Sequence, residues 1–122
     1  MRRKSERILL VEDHVRLATL RRVFLAGQGY DVICVADGKE ACQLLRRKRF
    51  DLVLTDAKLP KGSGWEAAAA AKKKNLPVIL SSGWSHRMSQ EELARSNVDF
   101  VIPKPCSTGY LLAIIRDALK KS

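Results

Sequence analysis

Residues 50 to 60, FDLVLTDAKLP, form a nearly continuous apolar run that is interrupted near its end by an aspartate. Such a run is typical of a strand that is buried on both faces of a sheet. Asp56 then lies at the end of the strand, where a carboxylate has little access to water. A charge in that position is costly unless another group offsets it. The stretch therefore predicts a buried strand with an aspartate at its end, and the reason for that charge must come from the rest of the chain.

Short apolar runs recur along the chain, and helical stretches separate them. We predict strands at residues 8–11, 31–35, 52–55, 77–81 and 100–102. The first strand is followed by a helix that ends before Gly27, in which Leu17, Leu20 and Phe24 have helical spacing. Further helices are predicted over residues 38–49, 65–74, 89–95 and 108–121. This alternation predicts a parallel sheet covered on both faces, in one doubly wound α/β domain over residues 1–122 with its core at about 6–119.

Length and composition fit one globular domain. The chain has 122 residues, of which 46% are hydrophobic, and its mean hydropathy is −0.17. The apolar run at residues 8–11 is cut off by Glu12 and Asp13, so it is too short for a signal peptide or a membrane span. The three cysteines have no metal-ligand spacing and indicate free thiols in a reducing compartment. We therefore expect a cytoplasmic protein without membrane insertion.

Polar residues follow several of the predicted strands. In doubly wound sheets, ligands lie beyond the carboxyl ends of the strands. Those ends carry Glu12 and Asp13, Asp56, residues 81–83 and Lys104. Clustered carboxylates need a cation to offset their repulsion, and hard oxygen ligands in a half-open pocket suit Mg²⁺. An aspartate beside such a cation can act as a nucleophile and hold phosphate as an acyl phosphate.

Four stretches of the sequence carry a resemblance to a known family. They are LLVEDH, DLVLTDAKLPKGSGWE, PVILSSGW and FVIPKPC. In this order and at about this spacing, they resemble the receiver domain of bacterial two-component response regulators. The resemblance extends from about Glu6 to Asp117. It implies a flavodoxin-like (βα)5 fold with a five-stranded parallel sheet of order 2-1-3-4-5.

The resemblance also implies roles for the acidic residues. Asp56 would accept a phosphoryl group from a phosphohistidine on a partner protein. Asp13 and Asp56 would bind Mg²⁺ directly, Glu12 would contribute through water, and Lys58 would contribute its main-chain carbonyl. On this interpretation the chain catalyses only its own phosphorylation and dephosphorylation, and is not otherwise an enzyme.

Further roles and two departures follow from the same resemblance. Ser82 would be the switch hydroxyl, and Lys104 would sense the phosphate beside a cis peptide bond to the following proline. The family often has an aromatic residue three positions before this lysine, where this chain has Val101. Lys58 and Trp84 flank the pocket at positions that tune the lifetime of the phosphoryl group in the family. We expect a cation and a bulky ring there to slow the attack of water.

Alternative functions remain open. The chain could be a degenerate receiver that acts as a scaffold without being phosphorylated. An aspartyl-phosphate hydrolase would use a similar nucleophile, but it would need a second acid two residues later, where this chain has Lys58. A flavin or nucleotide carrier would need a loop rich in glycine, serine or threonine after the first strand. Residues 12–14 are instead Glu-Asp-His.

The resemblance implies protein partners. The phosphodonor would be a histidine kinase or a histidine phosphotransfer protein. The chain would be either free-standing or the receiver of a hybrid histidine kinase. We expect a downstream protein to bind the first helix, or the face made by the fourth predicted helix, the fifth strand and the last helix. The last helix carries more apolar residues than one buried face needs.

Basic residues outnumber acidic ones, 23 Lys and Arg against 13 Asp and Glu, which gives a net charge of +10. They cluster at residues 2–4, 46–49, 72–74 and 120–121. In this architecture these clusters lie at the pole opposite the acidic pocket. Cations there stabilise helix carboxyl termini, or they form a docking pole for an acidic partner or nucleic acid. The chain has no DNA-reading motif, so specific nucleic-acid binding is not expected.

Overall fold

A computed structural model describes residues 5–57, 64–83 and 98–121 of the chain. The strands are β1 Arg7–Val11, β2 Asp31–Val35, β3 Leu52–Asp56, β4 Val78–Gly83 and β5 Phe100–Lys104. All neighbouring strands pair in parallel, and the sheet order is β2-β1-β3-β4-β5. This architecture confirms the predicted flavodoxin-like fold.

Helices cover both faces of the sheet. Within the described residues they are α1 Val15–Gly27, α2 Gly38–Arg47, α3 Gly64–Lys73 and α4 Thr108–Lys121. Buried residues of α1 and α4 share one hydrophobic cluster, and those of α2 and α3 share the other. The helix predicted over residues 89–95 lies outside the described residues. The structure is thus three-layered, with the sheet between two helical layers.

The two hydrophobic clusters explain why the strands are continuously apolar. Side chains along a strand alternate between the two faces of the sheet. Leu10 and Leu54 pack against α1 and α4, while Leu9, Val11 and Val53 pack against α2 and α3. Both sets are fully buried. A strand with helices on both faces has no polar position until it reaches its end.

The first helix forms as predicted, but its inward face differs from the apolar spacing noted in the sequence. Leu20 is 58% exposed. The buried residues of α1 are Ala18, Arg21 and Leu25. Apolar residues occur on every side of this helix, so their spacing did not fix its rotation about its axis. The rotation that packs best places an arginine toward the sheet.

The parallel strands bring all their carboxyl ends to one edge of the sheet. β2 lies on one side of β1, and β3, β4 and β5 lie on the other. The strand order therefore reverses direction between β1 and β3, and a crevice forms there in folds of this type. The residues that end or follow β1, β3, β4 and β5 surround this crevice.

Candidate functional site

Three charged side chains reach this edge on the same face of the sheet. Glu12 directly follows β1, Asp56 ends β3 and Lys104 ends β5. Each lies two residues beyond a buried residue of the cluster beneath α1 and α4, namely Leu10, Leu54 and Ile102. Alternation along the strands therefore turns all three charged groups toward the α1 and α4 side.

Lys104 joins the two buried acids. Its Nζ lies 2.6 Å from Oδ2 of Asp56 and 3.0 Å from Oε2 of Glu12. Oε2 of Glu12 also accepts a hydrogen bond of 2.9 Å from the main-chain N–H of His14. The side chain of Glu12 is fully buried and that of Asp56 nearly so, whereas Lys104 is about one quarter exposed. The network thus opens to solvent on the lysine side.

Asp13 completes an acidic cluster. Carboxylate oxygens of Glu12, Asp13 and Asp56 lie within 4.8 Å of one another, and Asp13 is exposed. Among the residues that the structure describes, Oε1 of Glu12 and Oδ1 of Asp56 are buried without a hydrogen-bond partner. Hard carboxylate oxygens suit Mg²⁺, which also retains water in its shell. A cation at this cluster would satisfy both oxygens, so the donor set fits the predicted metal.

Burial and mutual contact separate the pKa values of the two buried acids. Burial raises the pKa of Asp56 to about 7; Lys104 partly opposes this effect and Glu12 reinforces it. Burial also acts to raise the pKa of Glu12, but hydrogen bonds with Asp56, the His14 N–H and Lys104 hold it below 4.5. Burial acts to lower the pKa of Lys104, and its bonds to both carboxylates raise it above 10.5. Asp56 is therefore the acid that needs an added cation to ionise fully near neutral pH.

A second cation approaches the cluster from α1. Arg21 is only 3% exposed, and its Nη1 lies 4.0 Å from Oε1 of Glu12. This contact could not be predicted from the sequence, because Arg21 precedes another arginine, Arg22, which is exposed. The signal that could have found it is its position between Ala18 and Leu25, which share its side of the helix.

Two serines lie at the end of β4. Ser81 pairs in register with Asp56, and its hydroxyl is buried without a hydrogen-bond partner in the described part of the chain. Ser82, the predicted switch hydroxyl, is half-buried and pairs with Pro103 of β5. Ser82 is thus one residue beyond the position that pairs with Asp56. Its role stays a prediction.

The main chain around Asp56 is closely packed. The hydroxyl of Thr55 donates a hydrogen bond of 3.0 Å to the carbonyl oxygen of Asp56. The N–H of Ala57 donates to the carbonyl of Ser81 at 3.0 Å. A Cβ added to Gly64, the first residue of α3, would lie 1.8 Å from the carbonyl oxygen of Asp56. Glycine is required at position 64 because α3 begins directly against the acidic residue.

The remaining predicted features of the site are two flanking residues, the position of Val101 and a cis peptide bond. Lys58 and Trp84 lie outside the described residues. Val101 is exposed on β5, whereas the neighbouring Phe100 packs against the cluster beneath α1 and α4. The peptide bond between Lys104 and Pro105 is cis, as the resemblance implied.

The matching family is the response regulator receiver domain, whose model covers residues 8–116. The chain belongs to this family. Its fold and the convergence of Glu12, Asp56 and Lys104 therefore define a receiver domain of the two-component type.

Solved structures of receiver domains are similar over nearly the whole chain. A CheY-like receiver domain protein from Methanospirillum hungatei is 28% identical, with a TM-score of 0.87, over 97% of this chain and 96% of that one. The receiver domain of the sensor histidine kinase PA1611 from Pseudomonas aeruginosa, which has magnesium in its active-site cleft, is 26% identical. Its TM-score is 0.85, over 96% of this chain and 99% of that one. A response regulator receiver protein from Sinorhizobium medicae is 26% identical, with a TM-score of 0.84 and 96% coverage of both chains.

Many basic residues lie away from this site. A cleft of about 490 Å³ is lined by residues 46–51 and 74–77, which include Arg46, Arg47, Lys48, Arg49 and Lys74. These residues end or follow α2 and α3 and precede β3 and β4, so the cleft lies at the opposite pole from Asp56. The predicted placement of the basic residues at 46–49 and 74 is therefore correct, and those at 2–4 lie outside the described residues. The two predicted roles of these charges, stabilising helix ends and binding a partner, stay predictions.

The structure also describes the cysteines and the lengths of the helices. Cys34, Cys42 and Cys106 are all described, and all three are free thiols. None of the helices in the described ranges combines the length and apolar character needed to cross a membrane.

Proposed function

We propose that this receiver domain accepts a phosphoryl group on Asp56 from a phosphohistidine of a partner protein. The observation that carries the proposal is the bond from Lys104 to Asp56 inside the acidic cluster. It combines a rigidly held carboxylate, a cation beside it and oxygen ligands for Mg²⁺ at one strand edge. The family supports this function, since receiver domains act in two-component signalling.

The proposed step is a direct transfer. A carboxylate oxygen of Asp56 forms a bond to phosphorus while the bond from phosphorus to the imidazole nitrogen breaks. The electron pair of the broken bond remains on the imidazole, and the product on this chain is an acyl phosphate. The charge of the transferring group is spread over three oxygens, so the protein contributes mainly position and opposite charge. Lys104 can pair with one of those oxygens, and Ser82 is proposed to donate to another.

Mg²⁺ is the proposed cofactor. Asp13 and Asp56 would hold it directly, Glu12 through water and Lys58 through its main-chain carbonyl. When bound, it would neutralise negative charge on the transferring group. Among the described residues, the buried oxygens of Glu12 and Asp56 that lack a hydrogen-bond partner support this assignment.

The alternatives are less well supported. Lys58 replaces the second acid that an aspartyl-phosphate hydrolase would use to activate water. A scaffold that is never phosphorylated would not need Glu12, Asp56 and Lys104 to be held together in a buried network. The chain is proposed to be a signalling domain that catalyses only its own phosphorylation and dephosphorylation, in the cytoplasm.

Exposed apolar residues support the proposed docking surfaces. Val15, Leu20 and Val23 are exposed on α1, and Val101 and Tyr110 are exposed on β5 and α4. We propose that a histidine kinase or a histidine phosphotransfer protein delivers the phosphoryl group beside α1. A downstream protein would read the state of the domain at α1 or at the β5 and α4 face. The similar receiver of a sensor histidine kinase makes a hybrid kinase one proposed setting for this chain.

Intact mass measurement tests the phosphoacceptor. The protein is incubated with Mg²⁺ and phosphoramidate, a small donor with a phosphorus–nitrogen bond. The wild type should gain one phosphoryl group that hydroxylamine removes, because the adduct is an acyl phosphate. Asp56→Asn should gain none, while Asp117→Asn, which changes an exposed acid on α4, should behave as the wild type.

The other outcomes separate the alternatives. Absence of an adduct on the wild type would favour the scaffold. Sustained release of phosphate from a phosphomonoester, in excess of the protein, would favour the hydrolase.

A further inference from the structure

Arg21 is a buried cation on the inward face of α1. It is 3% exposed and shares that face with Ala18 and Leu25. Side chains on a helix tilt toward its N-terminus. α1 begins three residues after Glu12, so the long side chain of Arg21 runs back along the helix toward the acidic cluster.

The guanidinium reaches the oxygen of Glu12 that Lys104 does not. Nη1 of Arg21 is 4.0 Å from Oε1, whereas Nζ of Lys104 is 3.0 Å from Oε2. Among the described residues, Oε1 has no hydrogen-bond partner. Glu12 therefore has one cation on each side, Lys104 from the sheet and Arg21 from the helix.

Packing alone does not explain an arginine at this position. The other buried residues of α1 are apolar, and the cluster beneath the helix consists of residues such as Ile8, Leu10 and Leu54. Removing a guanidinium from water is costly, so a buried arginine requires a compensating negative charge. The compensating interaction in the structure is the charge of Glu12.

We propose that Arg21 is a resident cation of the phosphoacceptor site, which neutralises Glu12 from the helix side and opposes the binding of a divalent cation. Within the described residues, the carboxylates of Glu12, Asp13 and Asp56 share one cation, Lys104, if Arg21 is left out, and two when it is counted. Mg²⁺ therefore binds more weakly to this chain than it would with an apolar residue at position 21. This inference rests on the proposed function and concerns the affinity of its cofactor.

The test compares two neighbouring arginines. Arg21→Met removes the buried charge while keeping an apolar stem of similar length. Arg22→Met makes the same change in net charge on an exposed residue of the same helix. Calorimetric titration with Mg²⁺ should show binding tighter by roughly threefold to thirtyfold in Arg21→Met, and unchanged binding in Arg22→Met. Arg21→Lys, which retains the charge, should lie closer to the wild type.

The direction of the change separates charge from structure. A merely structural role for Arg21 would weaken Mg²⁺ binding when it is replaced, because Glu12 would lose its support. Unchanged or weaker binding in Arg21→Met, or equal tightening in both variants, would therefore overturn the inference.

Thermal melts in EDTA and in Mg²⁺ provide a second readout that does not depend on phosphorylation. Arg21→Met should have a lower melting temperature than the wild type in EDTA. Its melting temperature should also rise more than that of the wild type when Mg²⁺ is added. In the Glu12→Gln background, a neutral amide replaces the carboxylate. There, Arg21→Met should lose most of its effect on the melting temperature in EDTA and on the rise caused by Mg²⁺. An effect of equal size in that background would contradict the proposed pairing.

The failure of this inference differs from failure of the proposed function. If wild type binds Mg²⁺ and is phosphorylated on Asp56 while the arginine variants show no difference, only the role of Arg21 is wrong. If wild type gains no phosphoryl group, the proposed function fails, and the melts in EDTA still test the contact between Arg21 and Glu12.

Discussion

Nζ of Lys104 lies 2.6 Å from Oδ2 of Asp56, which joins the last residue of β5 to the last residue of β3 across the carboxyl edge of the sheet. The two residues are 48 positions apart in the chain. β4 lies between their strands, so the bond spans it. The contact therefore depends on the placement of β3, β4 and β5. It fixes Asp56, the proposed phosphoacceptor, relative to the cation that would meet the incoming phosphoryl oxygens.

Replacing Lys104 should impair phosphorylation more than folding. Lys104→Met leaves Glu12 and Asp56 facing each other without their shared cation, and it removes a partner for the transferring group. We expect the rate of adduct formation with phosphoramidate at saturating Mg²⁺ to fall by roughly tenfold or more. Lys120→Met, at an exposed position of α4, is the control and should keep the wild-type rate. A Lys104→Met protein that is phosphorylated at that same rate would show that the ammonium has no part in the transfer.

The raised pKa of Asp56 predicts how stability depends on pH in the absence of metal. Its pKa is about 7 in the folded protein, against an ordinary value of 3.8. A carboxyl with a raised pKa binds its proton more tightly in the folded protein than in the unfolded one. The resulting contribution of Asp56 to the free energy of unfolding is complete below pH 3.8 and is lost as pH rises through 7. In EDTA, urea unfolding should show the wild type less stable at pH 8 than at pH 5, by roughly 1 to 3 kcal/mol.

A substitution at Asp56 isolates this effect. Asp56→Asn cannot ionise and should lose most of the difference between pH 5 and pH 8, whereas Asp117→Asn should retain it. The lowered pKa of Glu12 acts in the opposite sense, and its contribution is lost only as pH falls below 4.5, outside this window. Mg²⁺ should restore stability at pH 8, since it binds the ionised carboxylate. Equal pH dependence in wild type and Asp56→Asn would show that Asp56 ionises normally in the folded protein.

The sheet and most of the acidic site could be predicted from sequence because both follow from burial. A strand covered on both faces must be apolar until its end, so the first polar residues after residues 8–11 and 52–55 mark the edge where ligands bind. Glu12, Asp56 and Lys104 were placed together by this reasoning, and the structure brings them within hydrogen-bond distance. The order of the strands came from the resemblance to a family and not from the apolar runs themselves.

The features that sequence reasoning missed depend on rotation and register. Arg21 was indistinguishable from the exposed Arg22, since α1 has apolar residues on every side and its rotation is decided by packing. Gly64 lies just before the helix predicted over residues 65–74, and its close contact with Asp56 becomes visible only when α3 is docked on the sheet. In each case the deciding quantity is a distance between elements that are separate in sequence.

The two serines of β4 should respond differently to removal of their hydroxyls. The hydroxyl of Ser81 is buried and, within the described residues, has no hydrogen-bond partner. Ser81→Ala removes an unsatisfied polar group, so it should raise the free energy of unfolding by about 1 kcal/mol without slowing phosphorylation. Ser82→Ala should slow phosphorylation with phosphoramidate by roughly tenfold while changing stability little.

Urea unfolding and the rate of adduct formation, measured on both serine variants, distinguish these effects. The reverse pattern, with Ser81→Ala slow in transfer and Ser82→Ala unaffected, would assign the switch hydroxyl to Ser81. That outcome would have a physical basis in the strand register, because Ser81 is the serine that pairs with Asp56.

A methyl group at position 64 should displace Asp56, the proposed phosphoacceptor. In Gly64→Ala, the new Cβ would lie 1.8 Å from the carbonyl oxygen and 2.8 Å from the carbonyl carbon of Asp56, and 3.0 Å from Cα of Ala57. All three atoms belong to the main chain, so no flexible side chain can move aside. We expect a loss of roughly 2 to 4 kcal/mol in the free energy of unfolding, together with weaker Mg²⁺ binding, because the end of β3 must shift.

Gly109→Ala is the matched control for this effect. Gly109 lies in the first turn of α4, and a Cβ there would meet nothing within 4 Å. Alanine is the better helix former, so this variant should be neutral or more stable by up to about 1 kcal/mol. Urea unfolding and Mg²⁺ titration of the two variants test the contact directly. If Gly64→Ala unfolds at the wild-type urea concentration and binds Mg²⁺ normally, α3 does not hold the main chain of Asp56 in place.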